Sequence, residues 1–299
     1  MVPDKIHGPA SDSVLITGAG GLLGRAATVP FSSQRWNVTA VTKADLDIGS
    51  KAAVLAAFDK IKPVLVINCA AATDVDRCER EPEWAFKANQ EGPLNLARAC
   101  LNAGAALVHV STDYVFDGEK DGFYTQDDQP NPQSAYARSK LAGELAVTAE
   151  LNRAYIVRSS WVFGRGGKNF GSRVVELARS GARLKGVIDQ VSIPTYAPDL
   201  ARRIYEITRK GTYGLYHVTN TGPATWMEFA RMALDLAGLA DVEIEPVSRA
   251  ELGQPAARPR NSAMRCLLSQ RLGLAPIRGW QDALKEFILN NSCPSPKNQ

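Results

Sequence analysis

The sequence of this chain predicts an α/β protein built on a doubly wound parallel sheet, with a smaller C-terminal lobe. Three observations support this prediction. Short runs of β-branched residues alternate with helical stretches, these runs are almost entirely apolar, and a glycine-rich loop follows the first of them. Strands that are apolar on both faces are typical of a parallel sheet covered by helices on each side. Repeated strand–helix units imply right-handed crossovers within one sheet.

Five strands and four intervening helices are predicted in residues 1–165. The strands cover residues 14–17, 37–42, 64–70, 106–112 and 155–163. The helices cover residues 22–34, 50–61, 83–103 and 135–150. This regular alternation predicts that residues 1–165 form one domain around the sheet.

The pattern loosens after about residue 165, where glycine, proline and arginine become more frequent. Helices are predicted near residues 170–180, 197–209, 225–238 and 280–290, and one strand, at 215–219, is expected to return to the sheet. Residues 166–299 are therefore predicted to form mostly a substrate-binding lobe. This part of the chain is expected to rejoin the first domain over about residues 190–220.

Composition and charge argue against several classes of function. The chain has 299 residues, 45% of them hydrophobic, which is enough to fill a core. Its net charge is only +4 and most basic residues are dispersed, so no nucleic-acid surface is predicted. Between Arg249 and Arg278, six arginines occur with Glu251 as the only acid. That segment either holds a phosphate or forms a solvated basic face.

Cysteines and histidines indicate neither a disulfide framework nor a metal centre. The five cysteines (69, 78, 100, 266 and 293) lack paired spacing, and the three histidines (7, 109 and 217) lie far apart. A reducing compartment and no catalytic metal are therefore expected. The first 13 residues contain no apolar segment, and the longest apolar run, residues 64–72, is too short to span a bilayer. The sequence thus predicts a cytoplasmic protein without a membrane segment.

The loop TGAGGLLGR follows the first predicted strand and opens a helix. Its glycines Gly18, Gly21 and Gly24 have the spacing of a dinucleotide-binding loop, in which backbone N–H groups at a helix N-terminus meet a pyrophosphate. A structural turn is the alternative, but the position within a βαβ unit favours a Rossmann-type NAD(P) site. Leu22 and Leu23, between these glycines, belong to the predicted cofactor site.

The end of the second strand bears on the choice of cofactor. An NAD site usually carries an acid here, whereas this sequence has Lys43, whose charge suits a 2′-phosphate. NADPH is therefore the predicted cofactor, and the nearby Asp45 and Asp47 leave NADH as the alternative. Asp47 and Ile48 are predicted to flank the adenine. The end of the third strand adds the small residues Ala70 and Ala71, which either admit the cofactor or pack against a helix, together with Thr73.

Hydroxyl groups follow the fourth strand, and a tyrosine–lysine pair lies on the next helix. Ser111 is assigned to the cofactor site, and Thr112 is placed where it can bind a substrate carbonyl. Tyr136 and Lys140 are four residues apart and therefore share a face of the helix. That spacing alone is weak evidence. The alternative is an amphipathic helix beside an unrelated loop.

The combination of glycine loop, strand-end hydroxyl and YxxxK helix resembles the short-chain dehydrogenase/reductase superfamily. Reduction of a ketone requires a proton for the developing alkoxide, and a phenol with a pKa of about 10 is a reluctant participant at neutral pH. An ammonium group about 4 Å away is expected to lower the pKa of Tyr136 by up to about three units. Lys140 is also expected to hold the nicotinamide ribose, while Thr112 orients the carbonyl.

Longer segments are similar to the dTDP-4-dehydrorhamnose reductase family over about residues 13–290. They are INCAAATDVDRCEREPEWAFKAN (67–89), STDYVFDG (111–118), YARSKLAGE (136–144), RSSWVFGRGGKNF (158–170), DQVSIPTYAPDLA (189–201) and RPRNSAM (258–264). The resemblance implies reduction of the C4 ketone of dTDP-4-dehydro-β-L-rhamnose. It also implies the following roles: Thr112, Tyr136 and Lys140 catalytic; Asp113, Tyr114, Trp161 and Val75 at the sugar; Asn169 and Arg260 at the diphosphate. Trp161 is interpreted as a platform for an apolar sugar face, with core packing as the alternative.

Two departures from the family pattern limit what the resemblance implies. Some members form magnesium-bridged dimers through an acid two residues after the third glycine, where this chain has Ala26. No metal is therefore predicted, and the expected assembly is a monomer or a homodimer. Residues 191–193 read Val-Ser-Ile where glycine is common in the family. The conformation of that loop is therefore left open.

Two rival functions are consistent with parts of the sequence. One is another nucleotide-sugar 4-ketoreductase or an epimerase of the extended superfamily. The other is a regulatory subunit similar to the beta subunit of methionine adenosyltransferase, which binds NADP and a partner enzyme. The complete Thr-Tyr-Lys set favours a reductase over the regulatory subunit.

Overall fold

Twelve strands and eleven α-helices make up the part of the chain that the computed structural model describes, residues 12–167 and 169–292. The strands are β1 (Ser13–Thr17), β2 (Asn37–Val41), β3 (Leu65–Asn68), β4 (Ala106–Thr112), β5 (Ala154–Ser159), β6 (Val162–Phe163), β7 (Leu184–Val187), β8 (Val191–Ser192), β9 (Thr195–Tyr196), β10 (Gly214–His217), β11 (Ala224–Thr225) and β12 (Ile244–Val247). The helices are α1 (Leu22–Ser33), α2 (Lys51–Ile61), α3 (Val75–Arg80), α4 (Pro82–Phe86), α5 (Gly92–Ala103), α6 (Ala135–Glu150), α7 (Phe170–Arg179), α8 (Ala197–Lys210), α9 (Trp226–Leu236), α10 (Leu267–Arg271) and α11 (Trp280–Ser292). His7 and Cys293, which entered the predictions on metals and disulfides, lie outside the described residues.

A six-stranded parallel sheet forms the centre of the molecule, which confirms the predicted fold class. Its strand order is β10-β5-β4-β3-β1-β2, and each neighbouring pair is parallel. The chain passes from β1 to β2 on one side and then to β3 on the other side of β1. The strand order therefore reverses between β1 and β3, and ligands of such sheets bind outside the carboxyl ends of the strands at this point.

Alternation along each strand explains why helices cover both faces of the sheet. On β1, Val14 and Ile16 pack in the core that contains residues of α1 and α8, whereas Leu15 packs in the core that contains residues of α2 and α5. All three side chains are fully buried. Because successive strand residues point to opposite faces, an apolar run without alternation needs a helical layer on each side.

The helix that carries the tyrosine–lysine pair begins at a side-chain cap. The Ser134 hydroxyl accepts a hydrogen bond from the backbone N–H of Ala137, 3.2 Å away, which satisfies one of the free donors at the start of α6. The first turn of α6 therefore has a defined position relative to β4. Tyr136 lies in this turn, and Lys140 lies one turn further along the same face.

The C-terminal part of the chain contributes both to the sheet and to a second core. β10 pairs with β5 as the outermost strand, and α8 covers one face of the sheet. The second core lies among α7, α9 and α11, where Phe163, Phe229 and Phe287 are buried together. Residues beyond position 165 therefore contribute both to the central sheet with its helical cover and to the second core.

Two predicted elements are interrupted in the structure. The helix predicted over residues 83–103 consists of α4, a π-helical turn at Lys87–Glu91, and α5. The strand predicted over residues 155–163 divides at Trp161, whose backbone has a φ angle of +41°. A bulky residue in this left-handed region cannot continue a strand. β6 therefore leaves the sheet and pairs with β9 instead of β4.

None of the helices within the described ranges combines the length and the apolar composition needed to cross a membrane.

Candidate active site

A cleft of about 840 Å³ opens at the carboxyl edge of the sheet, at the point where the strand order reverses. Nineteen of the residues predicted from the sequence line it. They are Gly18, Gly21, Leu22, Leu23, Gly24, Lys43, Asp47, Ile48, Ala70, Ala71, Thr73, Val75, Ser111, Thr112, Asp113, Tyr114, Tyr136, Lys140 and Trp161. The structure thus brings together residues from five strand ends and from α6.

The glycines of the first loop differ in why glycine is needed at each position. Gly18 has a φ angle of +69°, and a Cβ atom there would lie 2.6 Å from the backbone nitrogen of Ala70. A Cβ atom on Gly24 would lie 2.2 Å from the carbonyl oxygen of Gly18. Both positions therefore require glycine for the fold itself. A Cβ atom on Gly21 would meet nothing closer than 3.4 Å, and one on Gly20 nothing closer than 3.8 Å.

Glycine at positions 20 and 21 is therefore not explained by packing. Gly21 is the residue before α1, its φ of −83° is open to any side chain, and both glycines line the cleft. Their backbone is exposed to whatever occupies the cleft beside the helix N-terminus. This arrangement fits close approach of a pyrophosphate, which is the function expected of such a loop.

Lys43 follows β2 and lies close in sequence to Asp45, a carboxylate that already has hydrogen-bond partners. Asp45 accepts hydrogen bonds from the backbone nitrogen of Thr42 at 2.8 Å and from its hydroxyl at 2.7 Å, and these bonds lower the pKa of Asp45. Asp47 accepts from the backbone nitrogen of Gly49 at 2.9 Å. Thr42 and Lys43 line the cleft, whereas Asp45 does not. The residue at this edge that suits a 2′-phosphate is Lys43.

Two asparagines that the sequence analysis did not identify hold the loop after β3. The Asn68 side-chain oxygen accepts from the backbone nitrogen of Ala70 and from the Thr17 hydroxyl. Asn89 lies in the π-helical turn, fully buried, and its amide bonds both the nitrogen and the oxygen of the Ala72 backbone. An interrupted helix cannot be recognised from hydrophobic periodicity, so the sequence carried no usable signal for Asn89.

Thr112 and Tyr136 face each other within the cleft, whereas Lys140 is directed to the backbone. The Thr112 hydroxyl donates to Asp113 Oδ1 at 3.1 Å and accepts from the backbone nitrogen of Tyr114 at 3.2 Å. The ring of Tyr136 packs edge-to-face against that of Tyr114, with 6.0 Å between centroids. Lys140 Nζ donates to the Val110 carbonyl oxygen at 2.7 Å.

The predicted lowering of the Tyr136 pKa by Lys140 is wrong for this structure. Burial raises the pKa of Tyr136 above its ordinary value, and the nearby Thr112 hydroxyl only opposes this rise. Burial also lowers the pKa of Lys140 to about 8, with Glu144 acting in the opposite direction. Desolvation of both groups therefore outweighs the effect that was expected from the charge of the ammonium.

Side chains from distant segments build the other half of the cleft. Gln190, only 3% exposed, donates from Nε2 to the Tyr114 hydroxyl at 3.3 Å and accepts from Trp226 Nε1 at 3.1 Å. The Trp226 ring stacks on Trp161 with 3.6 Å between centroids, and both rings line the cleft. Gln190 lies in the segment at residues 189–201 that resembles the reductase family, but neither Gln190 nor Trp226 was predicted as a site residue.

Asp113 lies at the cleft but is almost fully buried, with 2% of its surface exposed. The Ser192 and Ser262 hydroxyls both donate to its Oδ2 atom, at 2.9 and 2.5 Å. Burial raises the pKa of Asp113 to about 6, although the hydrogen bonds of these serines act to lower it. The contact with the sugar that the family resemblance implied for Asp113 competes with these existing partners.

Asn169 and Arg260, the two residues expected at the diphosphate, do not line this cleft. Asn169 caps α7, since its side chain accepts from the backbone nitrogen of Ser172 and donates to the carbonyl oxygen of Gly164. Arg260 is exposed and forms an ion pair with Asp121 at 2.9 Å. Both side chains already have partners within the protein. The spacing of residues along the sequence could not reveal these contacts.

Most arginines of the segment between residues 249 and 278 form ion pairs. Arg249 pairs with Asp189, Arg258 with Asp76, and Arg278 with Asp199 and Glu286. The acids come from other parts of the chain. The local excess of positive charge seen in the sequence is therefore largely balanced in the folded protein. Within the described ranges, no group of His, Cys, Asp and Glu side chains has an arrangement suited to a metal ion.

Several known proteins with similar sequences are named as nucleotide-sugar reductases. A family model described as the RmlD substrate binding domain matches residues 12–293. The dTDP-4-dehydrorhamnose reductase of Streptomyces griseus is 40% identical over 278 residues, covering 91% of this chain and 91% of the relative. The dTDP-4-keto-6-deoxy-D-glucose reductase of Streptomyces niveus is 37% identical over 284 residues, covering 94% of this chain and 99% of the relative.

A solved structure agrees with these sequence relationships. The dTDP-4-dehydrorhamnose reductase of Bacillus anthracis, determined in complex with NADP, has a TM-score of 0.91 and 35% identity, covering 93% of this chain and 99% of that chain. The chain therefore belongs to the family described as the RmlD substrate binding domain.

Proposed function

We propose that this protein reduces the C4 ketone of dTDP-4-dehydro-β-L-rhamnose to give dTDP-L-rhamnose, with NADPH as the reductant. The observation that carries the proposal is that Thr112, Tyr136 and Lys140 line the same cleft as the glycine loop. The name of the Streptomyces griseus relative supports the substrate, and the NADP complex of the Bacillus anthracis relative supports the cofactor.

The residues at the β1 and β2 ends fit NADPH. Gly20 and Gly21 leave open the space in which a side chain would block a pyrophosphate, and Lys43 provides a positive charge at the β2 end of the cleft. Ala70, Ala71 and Thr73 line the adjoining wall. When bound, NADPH supplies the hydride that reduces the ketone carbon.

Tyr136 is the proton donor in this proposal. Burial raises its pKa, so the phenol is protonated at neutral pH, as a donor to a developing alkoxide must be. Thr112 lies beside it, and the hydrogen bond between the two hydroxyl groups orients the phenol of Tyr136. Lys140, with a pKa lowered to about 8, is still mostly charged at neutral pH. We assign this charged group to binding of the nicotinamide ribose, since Lys140 lines the cleft.

A second substrate, which differs in the configuration of the sugar, is supported by the name of another relative. The Streptomyces niveus relative is named for reduction of a 4-keto-6-deoxy-D-glucose derivative and is almost as similar as the first relative. The same three residues would reduce either sugar, since both carry the ketone at C4. The configuration of the product therefore depends on how the sugar half of the cleft holds the ring.

We assign cofactor binding to residues 1–165, rejoined by about residues 190–220, and most of sugar binding to residues 166–299. A cytoplasmic location is part of the proposal and is supported by the free thiols of Cys69, Cys78, Cys100 and Cys266. The assembly we propose is a monomer or a homodimer. Light scattering of the purified protein decides between the two.

The decisive experiment offers both dTDP-4-dehydro sugars to the purified protein with NADPH or NADH and follows loss of nicotinamide fluorescence. We expect stoichiometric consumption of added NADPH and identify the product configuration by NMR. Product formation without consumption of added cofactor would instead indicate an epimerase.

Replacement of the phenol tests the assignment of Tyr136. We expect Tyr136→Phe to lower kcat by about 100-fold or more, because the proton donor is lost, while the Kd for NADPH stays unchanged. Tyr213→Phe is the matched control, since it removes a buried hydroxyl that has no hydrogen-bond partner in the described structure and lies outside the cleft. Equal turnover by Tyr136→Phe and the wild type would remove Tyr136 from the mechanism.

A further inference from the structure

The carboxylate of Asp113 connects the catalytic hydroxyl to two separate segments of the C-terminal half. Its Oδ1 atom accepts from Thr112 at 3.1 Å. Its Oδ2 atom accepts from Ser192 at 2.9 Å and from Ser262 at 2.5 Å. The two serines lie 79 and 149 residues from Asp113 in the sequence. A single buried carboxylate thus joins the end of β4, the strand β8 and the segment after Asn261.

All three hydrogen bonds are best matched by the ionised carboxyl group. A carboxylate offers about four lone-pair positions and donates nothing, so it can accept from three hydroxyl groups at once. A protonated carboxyl group carries its own hydrogen on one oxygen, so it accepts more weakly and directs a donor towards one of these hydroxyl groups. The three-way contact therefore favours the ionised form of Asp113, in opposition to the burial that raises its pKa to about 6.

The backbone around these serines positions them independently of any ligand. The Ser262 nitrogen donates to the Val191 carbonyl oxygen at 2.9 Å, and the Val191 nitrogen donates to the Arg260 carbonyl oxygen at 2.8 Å. The two C-terminal segments are thus joined to each other beside Asp113. Ser192 and Ser262 are both fully buried, and neither lines the cleft.

The Thr112 hydroxyl is held from two sides. Its oxygen accepts from the Tyr114 nitrogen, and its hydrogen is donated to Asp113. Without the second contact, the hydroxyl hydrogen could rotate to other acceptors. With that contact, the orientation of Thr112 depends on where Asp113 is held, and therefore on Ser192 and Ser262.

We propose that Asp113 is a positioning residue, whose ionised carboxylate orients the catalytic hydroxyl of Thr112 and makes that orientation depend on contact with the C-terminal segments. This inference rests on the proposed reductase function, because it assigns a role within the same site. It differs from the role that the family resemblance implied for Asp113, in which the carboxylate binds the sugar directly. Both carboxylate oxygens are already occupied by hydroxyl groups of the protein.

The proposal predicts a specific pH dependence. The titratable groups facing Asp113 are Tyr114 from its own turn and Tyr136 from α6, and the ion pair of Arg258 and Asp76 lies beyond Tyr114. Burial raises the pKa of both tyrosines, so neither titrates near pH 6. Asp113, with a pKa of about 6, is therefore the group expected to produce an acid limb in kcat/KM. Activity should fall as the pH decreases through this value, because the carboxylate becomes protonated.

The test removes the serine hydroxyls, which lie outside the cleft. The hydrogen bonds from Ser192 and Ser262 lower the pKa of Asp113, so their loss raises it. In Ser192→Ala and Ser262→Ala we expect the midpoint of the acid limb to move upward by about 0.5 to 1 pH unit. We expect kcat/KM at pH 6 to fall by about 2- to 5-fold, while the Kd for NADPH remains unchanged. An acid limb at the wild-type pH in both variants would overturn the proposal.

Two further variants separate positioning from other roles. Ser269→Ala removes a buried hydroxyl for which the described structure shows no partner, and it should leave the acid limb where it is. Asp113→Asn cannot ionise, so its kcat should be low and independent of pH between about 5 and 7. If Asp113→Asn instead raises KM for the sugar and leaves kcat unchanged, Asp113 is a sugar ligand and the proposal is wrong.

A titration without substrate distinguishes failure of this proposal from failure of the proposed function. Carbon NMR of protein labelled at the aspartate carboxyl groups identifies Asp113 by the signal absent from Asp113→Asn. Its midpoint should lie near 6 and should rise in the two serine variants. If the midpoint rises but no nucleotide sugar is reduced, the proposed function is wrong and the contacts of Asp113 stand. If sugar is reduced and the midpoint does not move, the positioning role is wrong.

Discussion

The two halves of the cleft are constructed differently. The half proposed to bind the cofactor, here called the cofactor half, consists mainly of backbone at the ends of consecutive strands, with Gly18 to Gly24 after β1, Lys43 after β2 and Ala70 to Thr73 after β3. The half proposed to bind the sugar, here called the sugar half, is held by side chains from distant segments. Gln190 reaches Tyr114 across 76 residues of sequence and Trp226 across 36. The first half depends on local conformation, and the second depends on tertiary packing.

This difference predicts how each half responds to mutation. In the cofactor half, a side chain added at a glycine position is expected to collide either with the protein backbone or with the ligand. In the sugar half, a substitution acts through the partner that it leaves without a hydrogen bond. The following variants test this distinction.

The largest effects are expected from the glycine loop, where two neighbouring positions should separate stability from binding. Gly24→Ala places a Cβ atom 2.2 Å from backbone and should lower the free energy of unfolding by about 3 kcal/mol. Gly21→Ala meets only an ordinary contact at 3.4 Å. It should change stability by less than about 1 kcal/mol while weakening NADPH binding by about 30-fold. Urea unfolding and fluorescence titration measure the two quantities. Unchanged NADPH affinity in Gly21→Ala would show that the cofactor does not approach this loop.

In the sugar half, Gln190→Met should weaken substrate binding without affecting the cofactor. The substitution keeps the approximate shape of the side chain but removes the hydrogen bonds with Tyr114 and Trp226. We expect KM for the nucleotide sugar to rise by about 10-fold, since two buried polar groups lose their partner. The Kd for NADPH should stay at its wild-type value. Parallel loss of both affinities would mean that the two halves are not independent.

Lys140 connects the halves, and its charge should make cofactor binding depend on pH. Burial lowers its pKa to about 8, so the ammonium loses its charge as the pH rises through this value. We expect the Kd for NADPH of the wild type to increase by about 5-fold between pH 7 and pH 9. Lys140→Met should bind more weakly and show no such dependence. A wild-type Kd that is constant across this range would contradict the lowered pKa.

The smallest effect is expected for Arg260, which the sequence analysis placed at the diphosphate. The structure pairs it with the highly exposed Asp121 at the surface, and such pairs contribute less than about 1 kcal/mol. Arg260→Ala should therefore change KM for the nucleotide sugar by less than about 2-fold. Steady-state kinetics at low and moderate salt provide the measurement. A 10-fold rise in KM would restore Arg260 to the substrate site.

Local patterns explain why the glycine loop, Tyr136 and Lys140 could be predicted to meet in one cleft and why the contacts of Asp113 could not. Gly18 and Gly24 are required by the turn in which they lie, and Tyr136 and Lys140 share a helical face, so each signal lies within a few residues. The contacts of Asp113 with Ser192 and Ser262 join three separate segments. No periodicity or spacing encodes such a meeting. The direction of the Tyr136 pKa was also missed, because desolvation depends on everything that surrounds the phenol.

The position of β10 determines how this protein can be divided. β10 covers β5 with a full set of parallel pairs, so a fragment ending near residue 165 would expose the backbone N–H and C=O groups of β5. Unpaired edge strands recruit other chains and promote aggregation. Such a fragment would therefore be a poor isolated nucleotide-binding module. A soluble version needs residues 214–217 supplied in cis through a linker or in trans as a peptide.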